Sequence, residues 1–313
     1  MIKKEPLFLQ PVFQERIWGG TALKDVFNYE IPSSKTGECW AISAHENGMG
    51  VITNGAYKGK TLKELWEQHR ELFGQLSGDK FPLLTKILDA NDDLSVQVHP
   101  NDEYASVNEN GELGKTECWY IIDCQKDAEM IFGHQALTKA QAQDMIEHNQ
   151  WSTFLRRVKI KPGDFFYVPS GTVHALCKGT LVLETQQSSD TTYRLYDYDR
   201  TDDQGQKREL HLEKSLDVMT IPHQESSINI KVEERKEATI TNYVQNEFFS
   251  VSKYEINGSE TFSQDQPFLL ISVIEGKGMI NEYPIAKGTH FILPAQFGHF
   301  TLKGNLQLIV AHL

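Results

Sequence analysis

The sequence predicts a mainly β protein made of two related β units, with a few inserted helices. Three observations lead there. Short strand-like stretches recur between Gly, Pro and Asn/Asp turns, a set of landmarks repeats once along the chain, and 313 residues suffice for about two domains with their own cores.

The strand candidates are "GMGVITNG", "LSVQVHPND", "ECWYIIDC", "RVKIKPGDFFYVPSG", "GTLVLETQQ" and "FLLISVIEGKG", each bounded by turn residues. Helical insertions are predicted at about 58–75, 137–157 and 210–220. In the first, "TLKELWEQHRELFG", Thr61 and Glu64 make a capping box, and Leu62, Leu65, Trp66, His69 and Leu72 follow helical spacing. The second starts from Thr138 with Gln141 at the box position, and the third is "LHLEKSLDVMT". From Pro222 to about Asn242 the chain is polar and charged, as expected of a connection between two bodies. The repeat sets Gly163, Pro169 and His174 against Gly288, Pro294 and His299, each 125 residues later. Residues 1–235 are therefore expected to form one domain with the helical insertions, and 236–313 a second.

Composition narrows the function. Hydrophobic residues are 39% of the chain, charged residues 24%, and the formal net charge is −12. This balance argues against nucleic acid or an anionic membrane as partner, yet leaves room for an anionic small molecule held by a few local Lys and Arg. The N-terminal stretch lacks an apolar run of signal-peptide length, and no segment approaches the roughly 20 apolar residues of a membrane helix. Cys39, Cys118, Cys124 and Cys177 lack CxxC spacing. Reduced thiols and a cytoplasmic location are expected, with no obligatory protein partner evident.

One constellation suits a metal. In "LSVQVHPND", Gln97 and His99 lie two apart, so on a strand both face one side. Glu117 and Trp119 do the same in "TECWYII", and His174 follows the turn-like "VPSG". Two imidazoles, a carboxylate and an amide oxygen converging in a β unit can hold a divalent cation with positions left open for substrate.

These strings carry a family resemblance. "GDFFYVPSGTVH" fits a metal-binding motif of the cupin superfamily at Gly163, Pro169, Gly171 and His174. Together "RIWGG", "GECWAIS", "QVHP", "GKTECWYI", "VPSGTVHAL" and "TTYRLYDYDR" resemble type I mannose-6-phosphate isomerases in the compact form typical of Gram-positive bacteria. The resemblance implies two jelly-roll β-barrel domains and one zinc ion per chain, with His99, Glu117 and His174 as ligands and Gln97 as a fourth or near ligand. It places an active-site arginine at Arg194 and pocket-lining polar residues at Lys115 and Asp190. It further implies interconversion of mannose 6-phosphate and fructose 6-phosphate, by proton transfer between C2 and C1 through a cis-enediol. Arg194 would stabilise the developing charge or anchor the phosphate. Lys115 would serve proton transfer or phosphate contact, and Ser43 is a further candidate for phosphate contact. Asp190, Lys115 and a metal-bound water all remain open as the base.

The tripeptide ECW occurs twice. Glu117 stands in the order a cupin site requires, between His99 and His174, whereas Glu38 has no His-bearing partner strand at comparable spacing. Glu38 is expected to brace the N-terminal segment or pocket wall, with Trp40 in the core. The second repeat copy has Gln296 where the motif has its second glycine and offers no Gln-x-His pair, so the C-terminal unit is expected to lack a metal. Two other readings exist: another metal-dependent cupin enzyme such as a dioxygenase, or a non-enzymatic sugar-binding cupin.

Overall fold

The computed structural model describes residues 5–201 and 204–313, and within these the protein is mainly β with inserted helices. A six-stranded sheet runs in the order Phe165–Val168, Glu117–Cys124, Thr180–Gln187, Leu83–Ala90, Thr36–Ile42, Val12–Gly20. A five-stranded sheet runs Tyr193–Tyr196, Val96–Val98, His174–Leu176, Glu129–His134, Leu155–Lys159. Their inner faces meet. Leu88, Trp119, Ile121 and Val182 from the first share one buried cluster with Met130, Phe132 and Leu176 from the second. Apolar pairs fill one end of the space between the sheets, and polar side chains occupy the rest.

The third sheet has nine strands and begins ahead of the expected boundary at residue 235. Its edge is Lys231–Glu234, followed by Ala238–Gln245, both inside the stretch expected as a connection. Sequence periodicity fails there for a physical reason. Lys231–Glu234 is exposed at all its positions, so no apolar face marks it as a strand. A charged edge also discourages pairing with other chains. At the other end, Leu7–Gln10 pairs antiparallel with His290–Pro294, Leu7 opposite Ile292, and also with Val51–Ile52. Two segments from the start of the chain thus complete the C-terminal sheet.

The helices follow their caps. Thr61 and Glu64 form the reciprocal box that opens Leu62–Gln68, and the Thr138 hydroxyl accepts the Gln141 amide ahead of Lys139–Glu147. The second helical region stops early because Asn149 takes a left-handed conformation at φ 53. After the short helix Trp151–Phe154 the chain becomes the strand Leu155–Lys159, where helix was expected up to 157. The third expected helix spans Leu212–Val218. Two helices lacked a clear sequence signal, Ala22–Phe27 and Asp102–Asn108.

The internal repeat is a repeat of backbone geometry. Gly163 and Gly288 have φ 91 and 87, and the position of Gly171 (φ 84) is matched by Gln296 at φ 54. The histidines diverge: His174 is fully buried, whereas His299 is exposed.

Aromatic side chains join the two domains. Phe73 and Phe81, beside the first helical insertion, pack on Phe268 with ring centroids 6.1 and 5.2 Å away. A polar contact lies farther along. Tyr29 donates its hydroxyl hydrogen to the Gly288 carbonyl at 2.9 Å and lies 2.7 Å from His290 Nε2, while His290 Nδ1 is 2.8 Å from Ser272 Oγ. Burial pushes the His290 pKa down to about 3. The unfolded chain binds this proton near pH 6.5 and the native one only near 3, so His290 contributes stability above about 6.5 that is lost as pH falls. Wild type should lose up to about 1.4 kcal/mol per pH unit below about 6 from this group alone. His290→Gln should remove that slope in urea melts at pH 4.5–7.5. Equal slopes for the two proteins would refute it.

Candidate active site

Sheet register aligns the polar residues in rows. On the five-stranded sheet, Gln97 is directly opposite both His174 and Arg194 on its two neighbours. His99 follows immediately, and its carbonyl accepts the Gly171 amide at 2.8 Å, tying the turn before His174 to the Gln97 strand. On the six-stranded sheet one row crosses four strands: Trp119, Glu184, Lys86, Trp40. Glu117 and Glu38 stand two residues before the two tryptophans, on the same face. Both tryptophans donate their indole N–H to a carboxylate, Trp119 to Glu184 at 2.8 Å and Trp40 to Glu38 at 2.6 Å.

Between the sheets His99, Glu117 and His174 bring one ligand atom each within 4.8 Å of one another, all three buried. The ring hydrogens fix which nitrogens are free. His99 Nδ1 donates to the Thr191 carbonyl at 2.9 Å and His174 Nδ1 to the Thr172 carbonyl at 2.8 Å. In the neutral rings each Nε2 therefore turns a lone pair inward. His174 Nε2 lies 3.1 Å from Glu117 Oε1, and His99 Nε2 lies 3.7 Å from Oε2. Neither Glu117 oxygen has a hydrogen-bond donor aligned on it. Lone pairs and a carboxylate in one buried space repel unless cations lie close by. Lys115 Nζ answers Glu117 Oε2 at 2.8 Å and His99 Nε2 at 3.2 Å, but not the 3.1 Å approach of His174 Nε2 to Glu117 Oε1, so the donor set still fits a metal ion. The Gln97 amide nitrogen lies 3.3 Å from His174 Nε2, and half a turn of that amide brings its oxygen to the same place.

The ionisation states agree. Burial and the neighbouring Lys115 ammonium keep His99 neutral, well below the usual histidine pKa despite Glu117. Burial opposes charge on Glu117, but Lys115 and the histidines outweigh it and hold its carboxyl well below the usual range. Burial also opposes the Lys115 ammonium, yet Glu117 and Glu184 keep its pKa above the ordinary lysine value.

From the triad a chain of alternating charge runs along the cavity. Lys115 Nζ is 2.8 Å from Glu117 Oε2, an ion pair without hydrogen-bond alignment, and 3.9 Å from Glu184 Oε1. Lys86 Nζ is 3.9 Å from both Glu184 Oε1 and Asp190 Oδ1, and lies over the Trp40 ring at 4.5 Å. Glu184 differs from the others: burial and the Glu117 charge raise its pKa despite the two lysines. Burial would raise Asp190 too, but Lys86 and the Asn47 amide hold it below the usual value.

The structure gathers Gln97, Lys115, Asp190 and Arg194 on the wall of one cavity of about 340 Å³. That wall holds five cationic side chains, Arg16, Lys86, Lys115, Arg194 and Arg208, against the carboxylates Glu38, Glu184 and Asp190. Of these cations Arg16 is paired with Glu38, Lys115 with Glu117 and Arg208 with Asp197, which leaves the Arg194 guanidinium open to an anion. Arg194 is not paired with Asp197, which instead holds Arg200 and Arg208. Its Nη1 donates to the Glu209 carbonyl at 2.8 Å, and its buried Nε lacks a partner among the described residues. Glu38 braces the wall by taking Arg16 on both oxygens at 3.0 Å. Ser43 lies elsewhere. It is fully buried, and its hydroxyl accepts the His45 amide at 3.1 Å, which gives it a role in shaping the loop after Thr36–Ile42. Sequence reasoning missed Lys86, Glu184 and Arg208. A charge inside a mostly apolar run, Lys86 in "LLTKILDA" and Glu184 in "TLVLETQQ", was the available signal for the first two.

Comparison with known proteins matches this geometry. The family model for the catalytic domain of type I phosphomannose isomerase matches residues 7–123, and that for the cupin domain of mannose-6-phosphate isomerase matches 239–313. The chain is 62% identical to mannose-6-phosphate isomerase ManA of Bacillus subtilis, over 99% of each chain. It is 52% identical to the mannose-6-phosphate isomerase of Streptococcus mutans, over 98% of each. The crystal structure of the Bacillus subtilis mannose 6-phosphate isomerase superposes with a TM-score of 0.97 at 60% identity, covering 98% of this chain and 99% of that one. The fold extends to a mutant phosphomannose isomerase of Salmonella typhimurium, with TM-score 0.79 at 13% identity over 98% and 99% of the two chains. The chain belongs to the type I mannose-6-phosphate isomerase family of the cupin superfamily, with two cupin-like domains and the buried His99, Glu117, His174 triad between the sheets of the first.

Proposed function

We propose that the chain interconverts mannose 6-phosphate and fructose 6-phosphate, with one zinc ion held by His99, Glu117 and His174 and with Gln97 as a fourth or near ligand. The observation that carries this is the burial of two inward imidazole nitrogens and an ionised carboxylate together, beside the cavity that Arg194 lines. When bound, zinc supplies Lewis-acid polarisation of the oxygens on the reacting carbons without redox chemistry. Everything else is done by side chains.

Arg194 and Arg208 line the cavity where the anion belongs. A guanidinium there holds the phosphate or the developing enediolate charge with paired hydrogen bonds. Holding the phosphate lets remote binding energy place C1 and C2 beside Lys115 and Glu184. Glu184, which is not among the sequence candidates for the base (Asp190, Lys115 and a metal-bound water), suits proton storage because its raised pKa lets it both accept and return a proton. Lys115 Nζ keeps a proton at hand for the oxygen that gains charge. Asp190, held ionised beside Lys86, suits an acceptor for a sugar hydroxyl better than a proton store. The cytoplasm is proposed as the location, in keeping with four free cysteines.

A coupled assay for mannose 6-phosphate isomerisation tests the reading, run as purified, after chelation and with zinc restored. Activity should vanish on chelation and return with zinc. Sugar-phosphate binding without interconversion in the zinc-loaded protein would replace it with a binding role.

A further inference from the structure

A second cavity of about 370 Å³ is lined by Ala44, His45, Asn47, Trp66, Phe81 and Ser188 among others. One hydrogen bond spans the divide between the two: Asn47 Nδ2 donates to Asp190 Oδ2 at 2.9 Å, and Asp190 lines the reaction cavity. Asn47 is exposed, yet its backbone is held on both sides. Its carbonyl accepts Gln14 Nε2 at 2.8 Å and its amide donates to His45 Nδ1 at 3.2 Å.

The loop that carries Asn47 is fixed to the active-site strand. His45 packs edge-on against Trp40 with centroids 5.6 Å apart, and Glu46 pairs with Lys63 at 2.8 Å. At Gly48 a side chain could not be accommodated, since a Cβ would come within 2.7 Å of Trp40 Cε3. The same Trp40 carries Lys86 over its ring, and Lys86 is the other partner of Asp190. Asp190 is thus held by an amide on one oxygen and faces an ammonium with the other, and both of those groups are referenced to Trp40.

We infer that Asn47 is a positioning residue for the sugar. Its amide fixes the rotamer of Asp190 so that the carboxylate faces the substrate. This rests on the isomerase reading for the identity of the sugar phosphate. Asn47 touches no reacting atom, so its effect is on binding.

The test is a double-mutant cycle with Asp190, read in two ways. In the zinc-loaded protein, Asn47→Ala should raise KM for mannose 6-phosphate roughly tenfold, the scale of a hydrogen bond to a charged group, with kcat within about twofold. Calorimetry with fructose 6-phosphate should show affinity weakened by the same factor. On an Asp190→Asn background, Asn47→Ala should add little in either measurement. Unchanged KM and affinity in Asn47→Ala would overturn the inference, and so would fully additive effects in the cycle, which a merely disordered loop would produce. Wild type that binds fructose 6-phosphate without isomerising it would overturn the isomerase reading and leave Asn47 to be decided by the affinities. Wild type that binds no sugar phosphate would overturn both.

Discussion

His174→Ala should purify without stoichiometric zinc and show no turnover above the background of a coupled assay. The reason lies in what the substitution leaves behind. Glu117 and the His99 lone pair remain buried, with one donor fewer than a divalent ion requires, and Gln97 loses the neighbour that its amide meets at 3.3 Å. Elemental analysis gives the first readout and thermal melting a second, independent of activity. A ligand that binds only the folded state stabilises it, by about 2.7 kcal/mol at one hundred times its Kd. Adding zinc should therefore raise the melting temperature of chelated wild type and leave that of His174→Ala nearly unmoved. Equal metal content in the two proteins would remove His174 from the ligand set.

Arg194→Ala should lower kcat/KM by roughly a hundred- to a thousandfold, the cost of removing one preorganised charge-stabilising group. Zinc content should stay at the wild-type level, because Arg194 neighbours Gln97 in the sheet without touching the triad. The guanidinium is prepared for an anion in a specific sense. Arg194 anchors one end to the Glu209 carbonyl and leaves Nε buried and unsatisfied, while the nearby Asp197 is already occupied by Arg200 and Arg208. Arg194→Lys keeps the charge but not the fork, and should recover only a small part of the loss. If Arg194→Ala retained near-normal kinetics, the anion would have to be held by Arg208 and the lysines alone.

Much of this site was legible because strand geometry has a period of two. Gln97 with His99 and Glu117 with Trp119 could be placed on common faces from spacing alone, and the turn before His174 announced itself through Gly163, Pro169 and Gly171. Register was not legible. Nothing local in "LLTKILDA" says that Lys86 will stand opposite Glu184 and Trp40, because that alignment depends on strands far apart in sequence. The two ECW strings illustrate the same limit. Spacing set Glu117 apart from Glu38, but only the sheet reveals that each tryptophan anchors a carboxylate at one end of a single row. The helical insertions were readable from their caps, Thr61 and Thr138. The strands at Lys231–Glu234 and Ala238–Gln245 were hidden, the first because an exposed charged edge has no apolar face to betray it.

The pairing of Leu7 with Ile292 has a bearing on how the chain is made. One edge of Leu7–Gln10 can pair with nearby Val51–Ile52, whereas the other finds His290–Pro294 only once the C-terminal part of this sequence has been made. Until then that second edge presents unpaired backbone, beside two leucines that are buried in the folded protein. Contacts of such long sequence separation also close slowly. The nascent chain should thus depend on holding chaperones until His290–Pro294 is made, and a chain ending before His290 should aggregate even though it already contains His99, Glu117 and His174.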